Sequence, residues 1–505
     1  MDPKFQELKA HMQEIQDLKA AVALLSWDQM TYMPPGGAAA RGRQMATLEK
    51  LAHEKMVSPE LGGLLDELRP RLSDLPEDSM EARLLRVAAR DYDKEKKIPA
   101  SFLAELSEHS STTYEAWVKA RAESKFQIVA PLLEKTLELS RRMADFYPGY
   151  QHIIDPLIDY FDEGINGATI RALFAELRGE LIPLLREITS RKEDETRPRD
   201  ACLRQYFPES GQWQFCLEIA RALGYNFENG RQDKSPHPFT TTFSIGDVRI
   251  TTRIDENYLG EALFSTIHET GHALYEQGIG LELEGTWLAS GASLAVHESQ
   301  SRLWENLVGR RRDFWEFFFP RLREIFPQQL RQTSLEEFYR AINMVKPSLI
   351  RTDADEVTYN LHVMIRFQLE MDLLEGRLKV RDLPEAWNEA YREFLGVAPP
   401  DDRLGVLQDM HWYSGTIGGY FQSYTMGNIM SAQFFDAAVA AAPQIPAEIR
   451  QGNFQTLHEW LRQNIYQYGR KYMTREIVQR VTGDEIRIES YVKYLKRKYG
   501  EIYNF

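Results

Sequence analysis

Residues 265–278 read STIHETGHALYEQG, with two histidines four positions apart and a glutamate beside the first. What these side chains can do depends on whether the stretch is a helix. On a helix each residue turns about 100°, so positions i and i+4 lie almost above one another. His268 and His272 can then aim both imidazoles at one ion, with the helix supplying rigidity. Glu269, one step further round, is better placed to reach a metal-bound water than the metal. Two neutral nitrogen ligands and a carboxylate base are what metal-assisted hydrolysis needs. The competing reading is three polar residues on an ordinary helix, and the neighbouring sequence has to decide.

Just upstream, FTTTFSIGDVRITTRI (239–254) is rich in Thr, Ile, Val and Phe and is interrupted at Gly246–Asp247. It reads as a β-hairpin, with Val248, Ile250, Thr252 and Ile254 sharing one face and Arg249, Thr251 and Arg253 the other. Such a strand beside a metal helix offers an extended substrate an edge to lie along. Downstream, LAVHESQSRLWENL (294–307) has a second helical pattern. A catalytic zinc needs a third protein ligand and an open position. Glu298 and its neighbour His297 are both candidates for that ligand. A helix-borne glutamate at this distance resembles the third ligand of the gluzincin group of zinc peptidases, and that resemblance selects Glu298.

Most of the remaining chain reads as helix. SMEARLLRVAARDYDKEKK (79–97), APLLEKTLELSRRMADFY (130–147) and ATIRALFAELRGELIPLLREITSR (168–191) carry apolar residues at three- and four-residue spacing. There is no fixed-period repeat. The run RKEDETRPRD (191–200) is the candidate seam between lobes within one peptidase domain spanning 1–505. With 505 residues, 43% of them hydrophobic and 27% charged, the chain can bury a large core. A net charge of −14 argues against nucleic acid or an anionic membrane surface as partner. No apolar run reaches bilayer length, and the polar N-terminus has no signal-peptide core. Two cysteines, Cys202 and Cys216, give no disulfide framework. A cytoplasmic protein is the simplest expectation.

The set HETGH (268–272), HESQSR (297–302), DVRIT (247–251), IRTDADE (350–356) and GVLQDMHW (405–412), with SWDQMTYMPPGGAAARGRQ (26–44), resembles the carboxypeptidase Taq family of metallocarboxypeptidases. The likeness runs from about residue 27 to residue 490. It implies a mainly α, two-lobed protein with a deep groove and a small sheet beside the metal helix. It also implies a homodimer binding one Zn2+ per subunit, with Co2+ able to substitute, and removal of single residues from peptide C-termini with broad specificity.

A carboxypeptidase must recognise a free terminal carboxylate, which a guanidinium can bind bidentately. Arg351 and Arg249 lie inside family motifs and are the candidates. Arg351 precedes Asp353, Asp355 and Glu356, so an ion pair with them competes. That acidic trio is expected to support the ligand imidazoles. In 405–425, resemblance to related gluzincins assigns His411 and Tyr420 as donors to the oxyanion, with Tyr424 behind them. Gln408 joins the substrate-binding candidates. The expected enzyme is therefore a zinc metallocarboxypeptidase with metal ligands His268, His272 and Glu298 and base Glu269. Its alternatives are a zinc oligopeptidase cutting inside short peptides, or a silent zinc-stabilised peptide-binding protein.

Overall fold

The structure is a computed structural model that describes residues 2–190 and 198–505. The chain forms two compact units, each assembled from three separate segments. The first comprises Met1–Lys96, Arg199–Ile342 and Ser431–Glu485, and the second Lys97–Pro198, Asn343–Met430 and Ile486–Phe505. One passage between units falls between Pro198 and Arg199. Residues 191–197 of the candidate seam lie outside the described residues. The three periodic stretches become helices Met80–Lys97, Ala130–Asp145 and Gly167–Ser190.

In the first unit, helix α1 (Pro3–Thr31) starts at Asp2, whose carboxylate accepts the Lys4 amide at 2.8 Å. It buries Phe5, Leu8, Met12 and Ile15 in a cluster with Leu61, Leu65, Leu84 and Val87. The hairpin forms: β2 (Thr240–Ser244) pairs antiparallel with β3 (Asp247–Thr252). A third strand, β1 (Gln232–Lys234), pairs parallel on the other side of β3. At three residues it is too short to carry a readable alternation. Val248, Ile250 and Thr252 are fully buried on one face. The expected alternation fails at two places. Ile254 lies beyond the end of β3, and Thr251 is fully buried although it shares the face of Arg249. The Thr251 hydroxyl is satisfied there by Ser235 Oγ at 2.8 Å and the Phe239 amide at 2.9 Å, which makes its burial affordable.

Helix α2 (Leu259–Gln277) holds HETGH and is buried almost all round, so its sequence lacks a wet stripe. Helix α3 (Leu294–Arg302) begins at Ser293, whose hydroxyl accepts the Val296 amide at 3.2 Å. The chain continues as a π-helical turn, Leu303–Val308, where the sequence reads as one uninterrupted helix. A Cβ on Gly271 would stand 2.7 Å from Ser301 Cα and 2.8 Å from the Gln300 carbonyl, so glycine permits α2 and α3 to touch backbone to backbone.

In the second unit, helix α4 (Thr358–Leu374) is buried along nearly its whole length. Asp355 caps it by accepting the Val357 and Thr358 amides, both at 3.0 Å. Helix α5 (Glu489–Tyr503) is fastened by Lys498 Nζ, 2.7 Å from Glu356 Oε2, and by the Tyr499 hydroxyl donating to the same oxygen at 3.0 Å. Cys202 and Cys216 are both buried free thiols. Among the described residues no helix is long and apolar enough to cross a membrane.

Candidate active site

Three potential ligands converge in the first unit. One ligand atom each of His268, His272 and Glu298 lies within 4.8 Å of the other two. Glu298 Oε2 is 3.8 Å from His268 Nε2 and 3.6 Å from His272 Nε2. The backs of the imidazoles show why the Nε2 atoms are the free ones. His268 Nδ1 lies 3.0 Å from Glu305 Oε2, so its proton belongs on Nδ1. His272 Nδ1 lies 2.6 Å from His297 Nδ1, and His297 Nε2 lies 2.7 Å from Glu276 Oε1. The Glu276 carboxylate can only accept, which fixes the His297 proton on Nε2. His297 Nδ1 must then accept, the His272 proton sits on Nδ1, and His272 Nε2 keeps its lone pair.

His297, the alternative third ligand, is thus turned to the back of His272. Glu298 is steadied by Arg302 Nε, which donates to its Oε1 at 2.7 Å. Arg302 also donates to Glu305 at 3.0 Å, and Arg310 donates to it at 3.1 Å. The acidic trio expected to support the imidazoles does not do so. Asp355 caps α4 and Glu356 holds Lys498, both within the second unit, while Glu305, His297 and Glu276 do the supporting. Sequence reasoning missed Glu305 and Glu276, and it weighed His297 only as a ligand. Glu305 carries the one available signal, two helical turns beyond Glu298 on the same pattern.

The charges follow from this wiring. Burial raises the Glu305 carboxyl, but the neighbouring Arg302, the hydrogen bond to His268 and Arg310 outweigh it, so the group stays ionised. Burial works to lower the His268 imidazole, yet Glu298 and Glu305 raise it overall. His272 is held well below the usual histidine range by burial and by His297 and His268. Glu269 is 6% exposed and raised by burial, the direction that moves a carboxylate towards general-base work near neutrality. Its Oε2 accepts a hydrogen bond from Thr240 Oγ1, at the start of β2, at 2.6 Å. The hairpin therefore orients the glutamate. Two imidazoles and one carboxylate with converging lone pairs fit a divalent cation of zinc type and leave room for further ligands.

Arg249 also lies in the first unit. Its Nε and one terminal nitrogen donate to Asp247, both at 2.8 Å, and its guanidinium carbon stands 4.4 Å from the Trp27 ring centre and 4.8 Å from that of Phe243.

The remaining predicted residues gather in the second unit. Arg351 is buried, but its partner is Asp409, not the acidic trio. Nε and one terminal nitrogen donate to Asp409 Oδ1 at 3.1 and 2.9 Å, and the other terminal nitrogen to Tyr359 Oη at 3.1 Å. Arg366, fully buried, donates to Asp409 Oδ2 at 2.5 Å and to Gln408 Oε1 at 2.8 Å. Burial would raise the Asp409 carboxyl, but the two guanidinium groups hold it far below the usual range. Gln408 braces this cluster, its amide donating to the Leu349 carbonyl at 2.9 Å. His411 and Tyr420 stand with ring centres 5.4 Å apart, and Tyr420 and Tyr424 5.6 Å apart. Burial lowers the His411 imidazole to about 4, so it is neutral at physiological pH.

Comparison with known proteins points the same way. The family profile described as Carboxypeptidase Taq (M32) metallopeptidase matches residues 7–499. Thermostable carboxypeptidase 1 of Thermus thermophilus is 40% identical over 511 aligned residues, covering 99% of each chain. Carboxypeptidase 1 of Bacillus subtilis is 36% identical, covering 97% of each. The crystal structure of an M32 carboxypeptidase from Deinococcus radiodurans R1 matches with a TM-score of 0.97 and 46% identity over the whole of both chains. With a histidine–histidine–glutamate cluster on α2 and α3 and matches of this extent, the chain belongs to the carboxypeptidase Taq (M32) family and is a metal-dependent carboxypeptidase.

Proposed function

We propose that the metal is zinc, with Co2+ as a substitute, and that His268, His272 and Glu298 hold one ion per subunit. The observation that carries this reading is the convergence of two Nε2 atoms and one carboxylate oxygen, each steadied from behind, with Glu269 beside them. When bound, zinc supplies Lewis-acid chemistry, drawing electron density from a scissile carbonyl and from water. Glu269 takes the proton that water gives up and passes it to the leaving amine. Thr240 keeps the accepting carboxylate in one orientation. His411 and Tyr420 donate hydrogen bonds to the negative charge that develops on the carbonyl oxygen, with Tyr424 packed against Tyr420.

Arg351 and Arg249 are proposed for the terminal carboxylate of the peptide, and Gln408 acts by bracing Arg351, whose amide its Oε1 accepts at 3.0 Å. Single residues are released from peptide C-termini with broad specificity, by a homodimer in the cytoplasm. Light scattering of the purified protein reads the dimer directly. The activity test is a short peptide as free acid and as C-terminal amide, with and without chelator, its products read by mass spectrometry. One-residue shortening of the acid alone, abolished by chelator and restored by zinc, is the expected result. Loss of a charge-assisted bidentate contact costs on the order of 1.5–3 kcal/mol, or roughly 10–100-fold in kcat/KM. Equal rates on acid and amide would instead mean an oligopeptidase that ignores the terminus.

A further inference from the structure

Glu370 stands on α4 with 1% of its surface exposed, outside every motif discussed above. Its Oε1 accepts a hydrogen bond from the Trp412 indole at 2.7 Å, and the Gly418 backbone amide lies close enough to help lower the carboxyl. Oε2 is buried with no hydrogen-bond partner. Trp412 directly follows His411, and Gly418 stands two residues before Tyr420. A single carboxyl therefore holds the loop beside one proposed oxyanion donor and faces the backbone two residues before the other.

The loop is tightly bound in other ways. Gly418 and Gly419 take φ of +94° and +89°, a region that side-chain-bearing residues rarely adopt. A Cβ on Gly418 would stand 2.9 Å from Leu374 Cδ1, one turn after Glu370. The Ile417 amide is anchored by Ser140 Oγ at 2.8 Å. Within this frame His411 and Tyr420 pack ring against ring.

A buried, half-satisfied carboxyl is costly, and an apolar side chain would fill the space at less expense. Burial pushes this one up to about 7, with the Trp412 indole and the Gly418 amide pulling the other way. Arg366, one turn earlier, has its guanidinium engaged by Asp409 and Gln408 and offers no direct ion pair. What the carboxyl supplies, and an apolar residue could not, is an acceptor for the Trp412 indole, with the Gly418 amide facing the same group.

We propose that Glu370 is a positioning residue for the reaction: by gripping Trp412 and facing the Gly418 amide it fixes where His411 and Tyr420 stand relative to each other. The inference rests on the reading of those two residues as oxyanion donors. The test measures kcat, KM and metal content in Glu370→Ala, Glu370→Gln, Trp412→Phe, Tyr420→Phe and the double variant Glu370→Ala/Tyr420→Phe. A displaced donor costs transition-state stabilisation and not substrate binding, so Glu370→Ala is expected to lose kcat roughly 10-fold or more at unchanged KM and metal content. Glu370→Gln keeps an acceptor for the indole and restores most of that loss. Trp412→Phe withdraws the same hydrogen bond from the other side and lowers kcat several-fold, which gives a second reading should Glu370→Ala fold poorly. The double variant falls below Tyr420→Phe alone, but by less than the full Glu370→Ala loss, because the Tyr420 part of that loss is already gone while His411 is still displaced. If Tyr420→Phe is crippled while Glu370→Ala and Trp412→Phe keep kcat within about threefold, the Glu370 inference fails and the donor reading stands. A Tyr420→Phe enzyme with full kcat overturns the donor reading itself.

Discussion

Glu269 and Glu298 are both buried carboxylates of the first unit, and their surroundings divide the labour between them. Glu298 is held by Arg302 and faces two imidazole nitrogens. Glu269 has only the Thr240 hydroxyl on its Oε2 and a carboxyl raised by burial. Glu298→Ala should therefore lose bound metal, whereas Glu269→Gln should keep it and lose kcat by about 10²-fold or more, the scale of general acid–base catalysis. Metal analysis of both purified variants separates the roles, and full zinc occupancy in Glu298→Ala would refute the ligand assignment. For Tyr420→Phe, which deletes one hydroxyl and keeps the ring, kcat should fall roughly 10²–10³-fold with KM nearly unchanged. Tyr424→Phe should be milder. Steady-state kinetics on one peptide ranks the two. At this scale the sequence was readable where chemistry repeats at fixed spacing. HETGH announces itself, resemblance selects Glu298 over His297, and Glu305 and His297 touch the far nitrogens of the imidazoles while Glu276 holds His297. Their contacts depend on how α2 and α3 cross, which no local pattern encodes.

Between elements, the decisive contact is the one at Gly271. Its missing side chain lets the backbone of α3 approach α2, and that approach sets how near Glu298 comes to the histidines. Gly271→Ala leaves every ligand in place but drives a methyl group into the Ser301 and Gln300 backbone, which cannot rotate away as a flexible side chain would. The expected cost is about 1–3 kcal/mol of stability, with weakened zinc affinity on top. Thermal unfolding of the metal-free protein gives the first, and titration with a competing chelator the second. Glycine between two ligands reads from the sequence as helix-tolerant but unexplained; its reason appears only when the second helix is in place. The hairpin was legible from its β-branched residues and its Gly–Asp turn, but β1 was not. A three-residue strand paired in parallel gains its stability from β3, not from its own sequence.

For the molecule as a whole, helical periodicity was the strongest signal, and it located three long helices to within two residues. Buried α2 and α4 lack that stripe, because a helix covered on all sides has no wet face to reveal its period. Burial of this kind also sets the response to acid. His362 is fully buried on α4, its Nδ1 is 3.0 Å from the Tyr391 hydroxyl, and Nε2 has no partner. Burial, then Arg366 and Arg351, hold it well below the ordinary histidine range. The folded chain leaves this ring neutral, while the unfolded chain protonates it below about pH 6.5. Its contribution is thus complete at pH 7 and is lost as pH falls, by about 2 kcal/mol at pH 5. In metal-free protein, the drop in Tm between pH 7 and pH 5 should be about 2–4 °C smaller for His362→Gln than for the parent. An identical drop in both would show that the ring titrates equally in folded and unfolded chains.

The threading of the two units bears on how such a chain is made. Each unit draws on early, middle and late segments, so the polypeptide crosses from one to the other five times. Neither can be excised as a continuous gene fragment. During synthesis the second unit stays unfinished until residues 486–505 leave the ribosome, because Lys498 and Tyr499 close around Glu356 only then. A nascent chain stalled short of α5 would expose that carboxylate without its Lys498 and Tyr499 partners, an open state for quality-control proteases to recognise.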